Sequence, residues 1–202
     1  IAGTDNENSA ILQIADVSNI YSPVETARIA FAGGGATDIA VANDTVYIAN
    51  DVAGVRVINV TDPAAPSIVQ TKALRPSPDG RRTLALALAV HGTVLVVAGG
   101  GAAETFDITA PRELISRGTM TTTWSTDIVL ETRGSGENEE TLAYVANDVG
   151  GLAIFDVTPG EGIAMLGLLS MPEYAAANGV TVIGDYAYVS TPQGVFVVDL
   201  GY

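Results

Sequence analysis

At 202 residues, 48% apolar and only 16% charged, the chain is long enough for a sizeable core and has no disordered composition. Nine basic residues against 23 acidic ones give a formal charge of −14, which excludes phosphate-tracking nucleic-acid binders and repels anionic membrane surfaces. The lack of cysteine excludes disulfides, thiolate metal sites and cysteine nucleophiles, and no apolar run approaches the ~20 residues of a membrane-spanning helix.

The chain starts at Ile1 without a methionine or a signal-peptide pattern, which reads as a mature product or a window of a longer chain. Ile1-Ala2-Gly3 looks like the end of a strand, Asp5-Asn6-Glu7-Asn8 like a loop, and Ile14-Ala15-Asp16-Val17-Ser18 like a strand entering a turn. A fuller unit follows. Ala36-Thr37-Asp38-Ile39-Ala40-Val41 leads through Asn43-Asp44 into Thr45-Val46-Tyr47-Ile48-Ala49-Asn50-Asp51, then Gly54, Val55 to Thr61 and Asp62-Pro63-Ala64-Ala65-Pro66. A second copy runs from Leu84 to Val90, turns at His91-Gly92, and continues through Thr93 to Val97 and Thr105-Phe106-Asp107-Ile108-Thr109. The third has Thr126-Asp127-Ile128-Val129, Leu142 to Asp148, Gly151 and Ile154-Phe155-Asp156-Val157-Thr158. The fourth has Val180 to Val182, Tyr186 to Val189, Gly194 and Val197-Val198-Asp199-Leu200.

The register holds closely. Tyr47 to Asn59, Leu95 to Asp107 and Tyr144 to Asp156 are each 12 residues apart, and Tyr188 to Asp199 is 11. Asp16, Asn59, Asp107, Asp156 and Asp199 recur at steps of 43, 48, 49 and 43. Each unit holds three clear strands and a weaker fourth, such as Pro66 to Gln70 or Glu113 to Ser116. Four short strands repeating at this period predict an all-β fold, a β-propeller of four-stranded antiparallel blades. The blades fall at approximately 1–32, 33–72, 83–120, 124–171 and 178–202 of a single domain. The first and last are incomplete, and both already hold a third strand. They cannot be halves of one blade, so either five blades close imperfectly or further blades exist.

The pattern aromatic-Val-Ala-Asn/Asp, Gly, then Val-x-Val-Ile-Asn-Val-Thr-Asp-Pro-Ala-Ala-Pro resembles the LVIVD repeat, and Gly35 to Thr71 is its best match. The resemblance weakens in the second copy, where Gly-Gly-Gly-Ala-Ala (99–103) replaces the Asn-Asp loop. It implies a propeller that is often secreted or attached to the cell surface, and it implies little about activity.

Candidate residues fall into few groups. The recurring Asp/Asn at strand ends reads as a turn device accepting following amides. Thr37, Asp38, Thr126 and Asp127 open first strands and would sit at the mouth of a central channel, with Leu86 and Gly179 at the matching place in other copies. Asp51 and Asp148 lie in matching Asn-Asp hairpin loops whose oxygens suit calcium, although no complete calcium-loop motif is present. His91, the only histidine, reads as a turn residue matching Asn43 and Gly184, and no catalytic constellation includes it. Asn43-Asp44-Thr45 and Asn59-Val60-Thr61 are glycosylation sequons, of consequence in a host that glycosylates exported proteins. The acidic insertion Arg133 to Thr141 lengthens one hairpin, and Trp124 and Tyr174 lie near blade junctions, where core packing is the usual role.

The expected function is a non-enzymatic scaffold for protein–protein contact in an extracytoplasmic assembly, with protein partners or neighbouring subunits, no resident cofactor or metal and no membrane insertion. The alternatives are a carbohydrate- or cation-binding module using the Asn-Asp loops, and a hydrolase or lyase using Asp38 and Asp127.

Overall fold

Short Val/Ile/Ala-rich runs separated by tight turns bury themselves best as hairpins, and the computed structural model shows five antiparallel sheets in chain order. It describes residues 2–4, 9–77, 79–172 and 175–201. The first sheet is β1 (Ala2–Thr4), β2 (Ala10–Asp16) and β3 (Val24–Phe31). The second is β4 (Asp38–Ala42), β5 (Thr45–Ala49), β6 (Val55–Asn59) and β7 (Ser67–Lys72). The third comprises β8 (Ala87–His91), β9 (Val94–Ala98), β10 (Gly100–Asp107) and β11 (Ile115–Trp124). The fourth comprises β12 (Asp127–Arg133), β13 (Glu140–Ala146), β14 (Leu152–Asp156) and β15 (Ala164–Leu169). The fifth is β16 (Gly179–Ile183), β17 (Tyr186–Thr191) and β18 (Gly194–Asp199). Each sheet is ordered as in the chain, and the described residues contain no α-helix. The insertion forms one 3₁₀ turn at Gly136–Asn138 between β12 and β13.

Strands β5 and β9 and the body of β13 are buried on both faces, because each lies between two neighbouring sheets. Alternation then divides their side chains. Val46 and Ile48 join Leu12 and Phe31 of the first sheet, whereas Tyr47 and Ala49 join Leu95, Val97 and Phe106 of the third. Val96 and Ala98 pack with Ala143, Val145 and Phe155 of the fourth sheet, and Tyr144 and Leu152 pack with Val180 and Val189 of the fifth. Each buried branched side chain contributes roughly 1.5–3 kcal/mol. The core is thus four inter-sheet layers, and no cluster among the described residues joins the first sheet to the last.

The paired strands correct three registers. In β9 it is Val96, opposite Thr105, that matches Tyr47 opposite Val57 and Tyr144 opposite Ile154, so Leu95 is not the equivalent residue. His91 is not in the turn. It ends β8 opposite Val94, and Gly92 (φ 54°) takes the left-handed turn position held by Asn43 (φ 52°) and Gly184 (φ 59°). Ala87, opposite Ala98, rather than Leu86, matches Asp38 opposite Ala49. The displacement comes from a hairpin loop one residue shorter in the second copy, which a fixed spacing of 12 cannot register. Ile1, the loop Asp5 to Asn8, and Tyr174 lie outside the described residues.

Candidate functional site: the joints between inner strands

The inner strands β4, β8, β12 and β16 stand side by side, and the six polar residues singled out in the sequence gather at two equivalent joints between them. At the joint of the second and third sheets, Asp38 accepts the Ile39 amide on Oδ1 (2.8 Å) and the Leu88 amide of β8 on Oδ2 (2.8 Å). At the joint of the fourth and fifth sheets, Asp127 accepts the Ile128 amide (2.9 Å) and the Val180 amide of β16 (2.9 Å). Ile39, Leu88, Ile128 and Val180 hold the same register position, so two carboxylates serve the amides of four inner strands. That explains why Asp is needed in alternate copies, with Ala87 and Gly179 sufficing between. The Thr37 hydroxyl is shared between the carbonyls of Ala49 (3.2 Å) and Ala85 (3.1 Å), and that of Thr126 between Ala146 (3.4 Å) and Ala177 (3.1 Å).

The Asn-Asp loops complete the same joints. Asp51 and Ala85 exchange backbone hydrogen bonds at 3.0 Å each, and Asp148 and Ala177 at 3.2 and 2.9 Å. Both aspartates adopt left-handed backbone angles, φ 42° and 46°. The buried Asn50 reaches the other way, donating to the Gly34 and Gly35 carbonyls, while Asn147 accepts the Thr123 amide at 2.7 Å. Each loop therefore ties the segment entering its own sheet and the segment entering the next. Gly54 (φ 84°) and Gly151 (φ 80°) close these loops, and a Cβ on either would lie 2.1 Å from the carbonyl oxygen of Lys72 or Leu169.

Electrostatics follow the geometry. Burial lifts the Asp38 carboxyl above its ordinary value; the Leu88 and Ile39 amides oppose this and the negative charge of Asp127 adds to it. The turn carboxylates behave oppositely. Asp16 and Asp107 are lowered, first by the Ser18 and Thr109 amides that they accept. All five recurring Asp/Asn residues make this contact, at 2.7 to 3.0 Å. Among the described residues, no group of three or more His, Asp or Glu side chains is placed to hold a metal ion.

Two residues were not anticipated. Glu104 is buried in β10, where it accepts the Arg75 amide (2.8 Å) and the Ser116 hydroxyl (2.5 Å) and faces the Arg75 guanidinium at 3.5 Å. Its only sequence signal is a lone carboxylate inside Ala-Ala-Glu-Thr-Phe. Tyr47 is buried and donates its phenol to the Pro111 carbonyl at 2.5 Å, and burial pushes its pKa up to about 12. Trp124 is nearly half exposed, contrary to the core packing expected of it.

Comparison with known proteins gives a repeat match and a likeness of fold. The LVIVD repeat family matches residues 33–72 and 175–200. No curated protein matches the chain in sequence. Among solved structures, the computationally designed Ika8 protein is 14% identical with a TM-score of 0.62, over 98% of this chain and 57% of its own. The computationally designed Ika4 protein is also 14% identical, with a TM-score of 0.54 over 82% of this chain and 91% of its own. The chain spans little more than half the length of the first of these, and at such identity the likeness concerns the fold alone.

Proposed function

From a chain that carries LVIVD repeats at residues 33–72 and 175–200, we propose a non-enzymatic β-propeller scaffold that joins neighbouring subunits in an extracytoplasmic assembly. Adjacent inner strands, face-to-face sheets and the association of LVIVD repeats with propeller-like folds support the architecture. The resemblance to the LVIVD repeat, whose proteins are often secreted or surface-attached, supports an exported setting.

One observation carries the function. Val195 and Val197 on β18 are 65% and 59% exposed, whereas their counterparts Val55 and Val57 on β6 are fully buried against the next sheet. Ile183 and Tyr186 are exposed on the same sheet. The fifth sheet thus presents the surface that the second and fourth sheets use to hold a neighbour, without a neighbour on it. The fitting occupant is another sheet of the same kind, and between copies of this chain that is the same face of a second copy, related by a two-fold axis. The outward side of the first sheet fits less well, because it carries the polar network of Gln13, Glu25 and Arg28.

The hydrolase or lyase reading has less support, since both oxygens of Asp38 and of Asp127 are occupied by backbone amides. Analytical ultracentrifugation from about 1 to about 200 μM tests the scaffold. Concentration-dependent dimers, weakened about tenfold or more by Val195→Asp with Val197→Asp, are expected. A chain that stays monomeric throughout, or dimers indifferent to the two substitutions, would overturn it.

A further inference from the structure

In an array of near-equivalent units, shared features build the fold, and a feature confined to one unit needs another explanation. The third sheet departs most. Strands β10 and β11 have eight and ten residues, against five and six for β6 and β7 and again for β14 and β15. Four sheets share one bulge between their last two strands, at Ile14/Ala15, Val57/Ile58, Thr105/Phe106 and Ile154/Phe155. Only the third adds another, between Gly100 and Ala102. Bulges of this kind re-aim side chains beside binding sites. Here the extra bulge ends in the Gly100–Trp124 pair, and the six-membered ring of Trp124 rests on Gly100, where a Cβ would come within 3.1 Å of the ring.

A cleft of about 480 Å³ opens beside this pair, bordered by the segment that leads from β7 to β8. Asp79, Arg81 and Arg82 line one side, Thr121, Thr122 and Thr123 the other, and Trp124 the end. Arg81 is already paired with Asp79 at 3.0 Å, and Arg82 donates to the Val52 carbonyl at 2.6 Å. The guanidinium charge is therefore partly spent, which disfavours phosphate. Thr122 is buried to 6% exposure, and its hydroxyl has no partner among the described residues. A buried polar group of this kind requires an explanation.

We infer that this cleft is a saccharide-binding site, in which the exposed indole of Trp124 stacks on the apolar face of a pyranose while Asp79, Arg81, Arg82 and the exposed Thr121 hydroxyl bond its hydroxyl groups. A small aromatic platform ringed by donors and acceptors of both signs suits a polyhydroxylated neutral ligand. A peptide groove would need longer apolar walls, and Leu84 is the only aliphatic side chain in the lining. The site goes beyond the scaffold reading and lies on a different sheet, so either can fail alone.

Trp124 is the only tryptophan in the chain, so its fluorescence reports this cleft directly. Cellohexaose, xylohexaose, laminarihexaose and chitohexaose are titrated to about 5 mM, with isothermal calorimetry alongside. At least one should give a saturable emission shift and a matching heat. Asp79→Ala should weaken that binding about tenfold, and Trp124→Ala should abolish the heat with the far-ultraviolet circular dichroism unchanged. Should Trp124→Ala perturb the fold, Trp124→Phe keeps a smaller platform and should weaken binding only in part. No saturable binding by any of the four sugars, or binding indifferent to both Asp79→Ala and Trp124→Phe, would overturn the assignment. So would a proline-rich peptide that shifts Trp124 emission where none of the sugars does.

Discussion

Asp38, at the start of β4, accepts the Leu88 amide of β8 at 2.8 Å and so fastens two sheets through one carboxylate oxygen while the other oxygen holds its own strand. Removing the side chain strands two inner-edge amides at once. Asp38→Ala should cost about 1–3 kcal/mol in urea denaturation, and Asp38→Asn less, because its amide oxygen can still accept one of them.

The same residue sets a pH signature. Burial raises the Asp38 carboxyl above its ordinary 3.8, so the folded state binds its proton more tightly than the unfolded state does. Its contribution to stability is therefore largest below 3.8 and declines as pH rises through the window just above that value. The stability advantage of the parent over Asp38→Asn should shrink across this window. Asp107 runs the other way: its lowered value gives stability that is present above 3.8 and lost as pH falls below it. Asp107→Ala should flatten the acid arm of the stability curve, measured by thermal melts from about pH 2 to about pH 7.

Gly54 and Gly151 close matching loops with positive φ and a backbone carbonyl 2.1 Å from where a Cβ would stand. Gly54→Ala and Gly151→Ala should each cost roughly 1–3 kcal/mol. Gly92→Ala, left-handed but with open space around it, should cost less. A ranking in which Gly92→Ala is the worst of the three would contradict this account of the loops.

Glu104 anchors the segment that borders the cleft. Glu104→Ala leaves the Arg75 amide and the Ser116 hydroxyl without their buried acceptor, and should destabilise the chain by about 1–3 kcal/mol. Hydrogen exchange should report faster opening of residues 73–86 than of β13, which Glu104 does not touch.

Tyr47 should ionise later than an ordinary tyrosine. Its phenol is buried on the Pro111 carbonyl and pushed up to about 12. In an alkaline spectrophotometric titration, Tyr47→Phe should remove a late step.

Much of the fold was legible because each unit repeats a local code. Asp or Asn before Ser or Thr, at Asp16, Asn59, Asp107 and Asp156, announces a turn through one short-range bond, and every copy makes it. The period then gives the sheets and their order. The second copy reads one residue out of register because its Gly-rich loop is shorter, which displaces His91, Leu86 and Leu95 from the equivalent positions. Thr37, Asp38, Asp51, Thr126, Asp127 and Asp148 were recognised as a set, but as open ligands. Their actual partners lie in the next unit, such as Leu88 for Asp38, Val180 for Asp127 and Ala85 for Asp51, at separations that no local pattern encodes.

The sequence by itself determined the strands, the turns and the antiparallel pairing, since these depend on alternation, on residues tolerant of left-handed angles and on side chains bonding amides two positions on. Only the tertiary structure decided which polar groups are consumed and which remain open. That outcome depends on how sheets stack: the stacking turns Asp38 and Asp127 into fasteners, buries Glu104 and leaves Val195, Val197 and Trp124 facing outward.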